Sequence, residues 1–151
     1  MRGMVFRILE QWLGSWIALA ISAGIFGALH LLNPGASLLD ACDVMLEGGV
    51  LLAGAYMLTR RLWLYIGTHF VWNFTQGPIF SASVSGGTTH GLLQSRLVGP
   101  TWLTGGDFGA ESSAVALAIC LIGGLALLVA ASRKGHVPSP WTTWRMMPSA
   151  P

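Results

Sequence analysis

Apolar and polar residues follow one another along this chain in long blocks. Trp16 to Leu32 (17 residues), Leu62 to Phe80 (19 residues) and Ser112 to Ser132 (21 residues) contain no Asp, Glu, Lys or Arg. A helix needs roughly 17 to 25 apolar residues to cross the hydrocarbon of a bilayer, so each block predicts a spanning helix. A fourth block, Leu38 to Leu58, carries Asp40, Asp43 and Glu47 in its first half. It is read as a spanning helix whose acids sit near its outer end or face protein. Long runs of Ala, Leu and Gly without a period of two exclude a membrane barrel.

Ahead of these blocks, Gly14-Ser15 predicts a turn, which leaves at most 13 residues for a first helix. That is roughly 20 Å, short of a full crossing. Arg2, Arg7 and Glu10 make this stretch too polar for the core of a signal peptide. The expected fold is all-α: a polytopic membrane helix bundle with about four spanning helices and a partial N-terminal helix. Residues 1–132 form one transmembrane domain, and residues 133–151, with Pro138, Pro140, Pro148 and Pro151, form an irregular tail.

Composition agrees with a bilayer setting. Hydrophobic residues make up 53% of the chain, charged residues 9%, and mean hydropathy is +0.62; soluble domains carry about 25% charged residues. If the blocks cross in succession, Arg2, Arg7, Arg60, Arg61, Arg133, Lys134 and Arg145 share one side and Arg96 stands alone on the other. This is the positive-inside pattern. A net charge of +2 without a dense basic block gives no support to nucleic-acid binding. Cys42 and Cys120 lie in apolar segments and read as buried free thiols. Gly48, Gly49, Gly54, Gly123 and Gly124 read as close helix contacts.

The few polar residues inside the blocks carry the candidate chemistry. They are His30 in the first, the three acids in the second, and His69, Asn73 and Gln76 in the third. Intramembrane ionisable groups are costly and usually face a bundle interior or a wet cavity. His69 and Asn73 are four apart and share a helix face. Alone, His30 is as well explained by a hydrogen bond across helices, but two histidines and an amide together resemble a hydrolytic or metal site. Asp40, Asp43 and Glu47 read as acids at a helix start, where the dipole favours them. Phe26 reads as packing, His90 and His136 as solvated, and Trp16, Trp63, Tyr65 and Trp102 as interface anchors.

The run Phe26-Gly-Ala-Leu-His30 matches the FxxxH motif, and His69-Phe-Val-Trp-Asn73 the HxxxN motif, of the CPBP intramembrane proteases, the CAAX protease and bacteriocin-processing (Abi) family. The wording around them, and GPTWLTGGDFG at residues 99–109, is also similar to bacterial members. The resemblance covers residues 2 to about 132. It implies a multi-pass protein of the bacterial cytoplasmic membrane that hydrolyses a peptide bond with activated water. His30, His69 and Asn73 would be catalytic: His30 acting on water, His69 and Asn73 holding the oxyanion. Arg2 and Phe26 would support them. The family's first motif, EExxxR, is matched only by its tail, MRGMVFR; if Arg2 is its arginine, the two glutamates would precede Met1, and the chain as written would lack the glutamate that the resemblance pairs with His30 to activate water, and with it the expected activity.

The chain is therefore expected to be a protease begun too late, with a first helix entered midway. The alternatives are a non-catalytic binding or immunity protein that keeps the fold, or a proton or metal transporter. No cofactor is favoured; a divalent metal such as zinc, held by His30 and His69, is the alternative. Membrane lipid and a peptide or membrane-protein substrate are the expected partners. One mismatch of depth remains open: His69 lies roughly 10 Å along its helix from Leu62, whereas His30 lies roughly 24 Å beyond Gly14. Tilt, an earlier helix start or a hydrated dip would each reconcile them.

Overall fold

The computed structural model describes residues 2–138. The side chain of Arg2 and most of the 133–151 tail, residues 139–151, lie outside the described residues. The helices are α1 (Arg2–His30), α2 (Leu38–Thr59), α3 (Leu62–Phe74), a short α4 (Thr101–Thr104) and α5 (Ala114–Arg133). A π-helical turn, Thr75–Ile79, extends α3, and a 3-10 turn, Ala110–Ser112, precedes α5. The chain is an all-α bundle, and α1, α2 and α5 are long and apolar enough to cross a membrane by length and composition.

The Gly14 turn is present, inside α1. Gly14 adopts φ 76° and ψ 169°, and the chain reverses there. The contacts give the directions. Phe6 stacks edge-on to Tyr56 and Glu10 pairs with Arg60, so the arm 2–13 runs parallel to α2. Ala18 shares the Met57 cluster while Gly27 lies against Ala41 and Met45, so the arm 15–30 runs antiparallel to α2. The reversal is held by charge. Arg60 reaches both oxygens of the buried Glu10, at 2.8 and 2.7 Å, and the Ser15 hydroxyl donates to Glu10 at 2.6 Å.

Each remaining helix has a local cause. Ser37 and Asp40 form a reciprocal capping box that starts α2, and the Ser113 hydroxyl accepts from the Ala116 amide to start α5. Along their contact, Gly54 and Gly124 let the backbones of α2 and α5 approach: a Cβ on Gly54 would lie 3.0 Å from the Gly124 carbonyl. With no hydrophobic drive between helices in lipid, such close approach supplies the attraction.

Three expectations are corrected. The Leu62 to Phe80 block is α-helical only over Leu62–Phe74 and continues as the π-helical turn Thr75–Ile79. α3 stops at Phe74 because Pro78 has no N–H and its ring would strike the carbonyl four residues earlier. Cys42 is exposed, and only Cys120 is a buried thiol. His136 is not merely solvated: its Nδ1–H donates to the Leu58 carbonyl at 3.0 Å.

The depth mismatch resolves through the start of α3. A Cβ on Gly3 would lie 2.7 Å from the Leu62 side chain, so Leu62 stands level with the upper part of the first arm. Gly3 is eleven residues, roughly 16 Å, above Gly14, and seven further residues of α3 add roughly 10 Å. His69 thus arrives at the height of His30. The same geometry places position 2 well up the arm, away from the Gly14 end where Arg60 sits.

Gly14 occupies a region of backbone space open essentially to glycine alone. Gly14→Ala should therefore cost about 1 to 3 kcal/mol and lower the yield of folded protein in detergent. An unchanged unfolding midpoint would show that the reversal does not need this conformation.

Candidate active site

Six separate stretches of chain line one cavity of about 130 Å³, Ser85 of the long loop and Cys120 of α5 among them. The end of α1 brings Phe26 and His30, α2 brings Glu47, α3 brings His69, Trp72 and Asn73, and the segment before α5 brings Glu111. His30, His69 and Asn73, which the sequence singled out, thus meet on one cavity, with Phe26 between the two rings. The Phe26 ring lies edge-on to His30 at 4.4 Å and to His69 at 6.0 Å between centroids.

Hydrogen bonding defines the state of His30. Its Nδ1 lies 2.7 Å from the Phe26 carbonyl oxygen, which can only accept. Nδ1 therefore carries the proton, and in the neutral ring Nε2 keeps a lone pair. The bond spans one helical turn at the end of α1, where the Phe26 carbonyl is close to the last turn's unpaired acceptors. Nε2 of His69 lies 3.4 Å from Nδ2 of Asn73, the one-turn spacing of the HxxxN pattern. As placed, the amide donates to the imidazole.

Two carboxyl groups complete the lining, and the sequence reading had assigned neither to it. Asp40 is at the helix start as expected, bonded to Ser37 and Ser112, and Asp43 is one turn further, 3.4 Å from the Ser112 hydroxyl. Glu47 is different. It lies in the third turn of α2, is 4% exposed, and its Oε1 is buried without a hydrogen-bond partner. The reading of Glu47 as a helix-start acid is corrected by that depth. A spacing of four from Asp43 puts both on one face, which was the available signal.

Glu111 is 5% exposed and comes from the 3-10 turn ahead of α5. The Ser85 hydroxyl donates to it at 2.5 Å and the Trp72 side chain also hydrogen-bonds to it. Burial pushes its carboxyl above the usual range, against the opposing pull of the Ser85 bond and the His30 charge. No local pattern marks Glu111; only the return of the loop over the bundle brings it to His30. That loop is seated by the Gly86 amide donating to the Phe108 carbonyl at 2.7 Å. Gln76, the remaining polar residue of the third block, sits in the π-helical turn, away from this lining, with both amide atoms buried and unpartnered.

A larger apolar cavity of about 810 Å³ shares Phe26, His30, His69 and Asn73 with the first. Ile25, Ile66, Phe70 and Phe74 line it and are also exposed on the outer face of the bundle. The polar groups therefore stand where a small polar cavity meets an apolar one. Among the described residues no group of three or more His, Cys, Asp or Glu stands together as one ion's ligands. A catalytic zinc site uses three such protein ligands. The chemistry present is a carboxyl and imidazole set beside amide donors, which suits proton transfer and stabilisation of a developing anion.

A family model described as type II CAAX prenyl endopeptidase Rce1-like matches residues 1–75, a segment that contains both Phe26 to His30 and His69 to Asn73. No curated protein and no solved structure matches the chain. The family match agrees with the CPBP/CAAX resemblance, and it implies a peptide hydrolase. With the three apolar helices it marks a membrane protein.

Glu111 also sets a pH dependence. A carboxyl whose folded pKa is raised keeps its proton while the unfolded chain loses it, so stability falls as pH climbs from the ordinary value of 4.5 through the raised one. Glu111→Gln lacks that fall. The unfolding midpoint of the variant in detergent should therefore gain on the wild type as pH rises from about 4 to 8. A difference that is flat in pH would contradict the raised carboxyl.

Proposed function

We propose, taking residues 1–75 as a segment of the type II CAAX prenyl endopeptidase kind, that this protein is an intramembrane endopeptidase. The observation that carries the reading is the convergence of His30, His69 and Asn73, from two helices distant in sequence, on one small cavity. Its setting is a multi-pass protein of a bacterial cytoplasmic membrane, and its substrate a peptide or membrane protein that enters from the lipid side. The apolar cavity beside the histidines supports that route, because its walls are continuous with the exposed face of the bundle.

The chemistry follows from the hydrogen bonds. With Nδ1 committed to the Phe26 carbonyl, Nε2 of His30 is the ring atom that accepts a hydrogen bond from a water molecule and orients it. Imidazole suits this task because its ordinary pKa lies near neutrality. His69 and Asn73 offer N–H groups to the oxygen of the scissile carbonyl as it takes on negative charge. In a cavity shielded from bulk water such donors act strongly, each worth about 3 to 4 kcal/mol. No step uses a metal.

The test is cleavage of an internally quenched, farnesylated peptide with a CAAX-type terminus by the purified chain in liposomes. Cleavage is expected for the wild type. His30→Ala should lower turnover about 100-fold or more, and Asn73→Ala about 100-fold, with folded protein in the membrane little changed. His69→Ala should fall in the same range. Near-normal turnover in His30→Ala or His69→Ala would remove the assignment.

A further inference from the structure

We propose that the groove between α3 and α5 binds an extended stretch of the polypeptide substrate beside its scissile bond, and that Gln76 pairs with the main chain of that stretch. The proposal rests on the endopeptidase reading and adds a substrate-binding site to it. It starts from the placing of α3, which stands between two openings of the bundle. His69, Phe70 and Asn73 line the apolar cavity already described. Gly67, Val71 and Thr75, on another face of the helix, line a separate groove of about 740 Å³, opposite Val115 and Ile119 of α5.

Two features tie this groove to the chemistry. Thr68 and Trp72 line both the groove and the small cavity of His30, His69 and Asn73, so an occupant of the groove lies against the wall of the reacting centre. Gln76 also lines the groove, and both its amide oxygen and its amide nitrogen are buried without a hydrogen-bond partner. Its main chain is held in place, because the Gln76 carbonyl accepts from the Ala82 amide at 2.9 Å. Two unpaired polar atoms on one side chain are costly, and a native structure keeps such a group where a ligand supplies the partners. Rotation about the side-chain bonds brings the amide to an occupant.

The orphan pair identifies that occupant by its chemistry. A primary amide donates through nitrogen and accepts through oxygen, side by side. A residue of an extended chain turns its own N–H and C=O to the same side, as in an antiparallel ladder, so one glutamine can bond both. A helical segment has already spent these groups within itself, and a lipid acyl chain has neither. Val71, Val115 and Ile119 are exposed on the outer face and offer apolar walls to the side chains of a peptide arriving from the membrane. Gln76 follows His69 by seven residues, roughly 10 Å of helix, which about three residues of extended chain cover. The bonded residue of the substrate therefore lies within about three positions of the scissile bond.

The experiment uses the full chain in the liposome assay with the farnesylated peptide and a set of analogues, each N-methylated at one backbone amide near the scissile bond. With the wild type, one analogue within about three residues of that bond should raise KM about tenfold. Gln76→Met should raise KM for the parent peptide at least tenfold, with kcat within about threefold and an unfolding midpoint equal to or above the wild type. That same analogue should then show no further loss against the variant, a coupling that a merely structural glutamine would not produce. Gly67→Phe gives an independent reading. A Cβ at Gly67 would meet nothing within 4 Å, so the added ring fills the groove without disturbing the helix, and KM should rise at least tenfold.

Equal N-methyl penalties at every position in wild type and Gln76→Met would overturn the pairing and leave the groove to lipid. A midpoint of Gln76→Met below the wild type would show that the amide already serves the fold, and would overturn it as well. If Gln76→Met does not accumulate, Gln76→Leu takes its place with the same expectations, and an unchanged KM in Gly67→Phe would overturn the groove on its own. Each of these results, beside cleavage by the wild type, leaves the endopeptidase reading standing. A wild-type chain that leaves the parent peptide intact would overturn that reading, and this site with it.

Discussion

The reversal of the chain at Gly14 is the constraint on which the rest of the structure depends. One residue in a conformation that only glycine adopts readily turns α1 into two arms, and Glu10, Ser15 and Arg60 close the turn beneath them. A buried carboxylate joined to one partner alone would be costly. Here the guanidinium covers both oxygens in a fork and the hydroxyl adds a third bond, which satisfies the group. Arg60 also ends α2 in a left-handed conformation, so one side chain ties the first turn to the second.

From that lock the height of every catalytic candidate follows. The first arm carries Gly3 up to meet Leu62, α3 therefore begins high in the bundle, and His69 reaches His30. Had α3 begun beside Gly14, seven residues of helix would have left the two histidines more than 10 Å apart in depth. The glycine contact at position 3 is thus as much a part of the site as the motif residues. Phe26 then fixes the spacing of the two rings, touching both edge-on, and its carbonyl sets the tautomer of His30.

The two halves of the chain contribute differently. Residues 1–75, where the family match lies, supply the imidazoles, the amide and Glu47. The later residues close the cavity: the loop after the π-helical turn folds back to place Ser85 against Glu111, whose carboxyl is also bonded by Trp72 of the first half. Charge is admitted to an apolar bundle only where such partners exist. The polar cavity and the larger apolar one meet at His30, His69 and Asn73, which places these polar side chains at the boundary between protein interior and lipid-facing surface.

Much of this was legible in the sequence, because blocks of apolar residues report burial in lipid directly and a helix needs no distant partner to satisfy its backbone. The helices α2 and α5, the break at Gly14, the close glycines and the trio His30, His69 and Asn73 all follow from local pattern. Pro78 shortened α3 by a local rule too, although its apolar run hid the stop. Glu47 and Glu111 were not legible as site residues. An acid inside an apolar run looks the same whether it caps a helix or faces a cavity, and Glu111 gains its partners only from residues 26 and 39 positions away, Ser85 and Trp72. Sequence alone determined which segments are helical and which side chains are too polar to face lipid. The tertiary structure decided which of those side chains share a cavity, because heights and faces depend on where each helix begins against its neighbours.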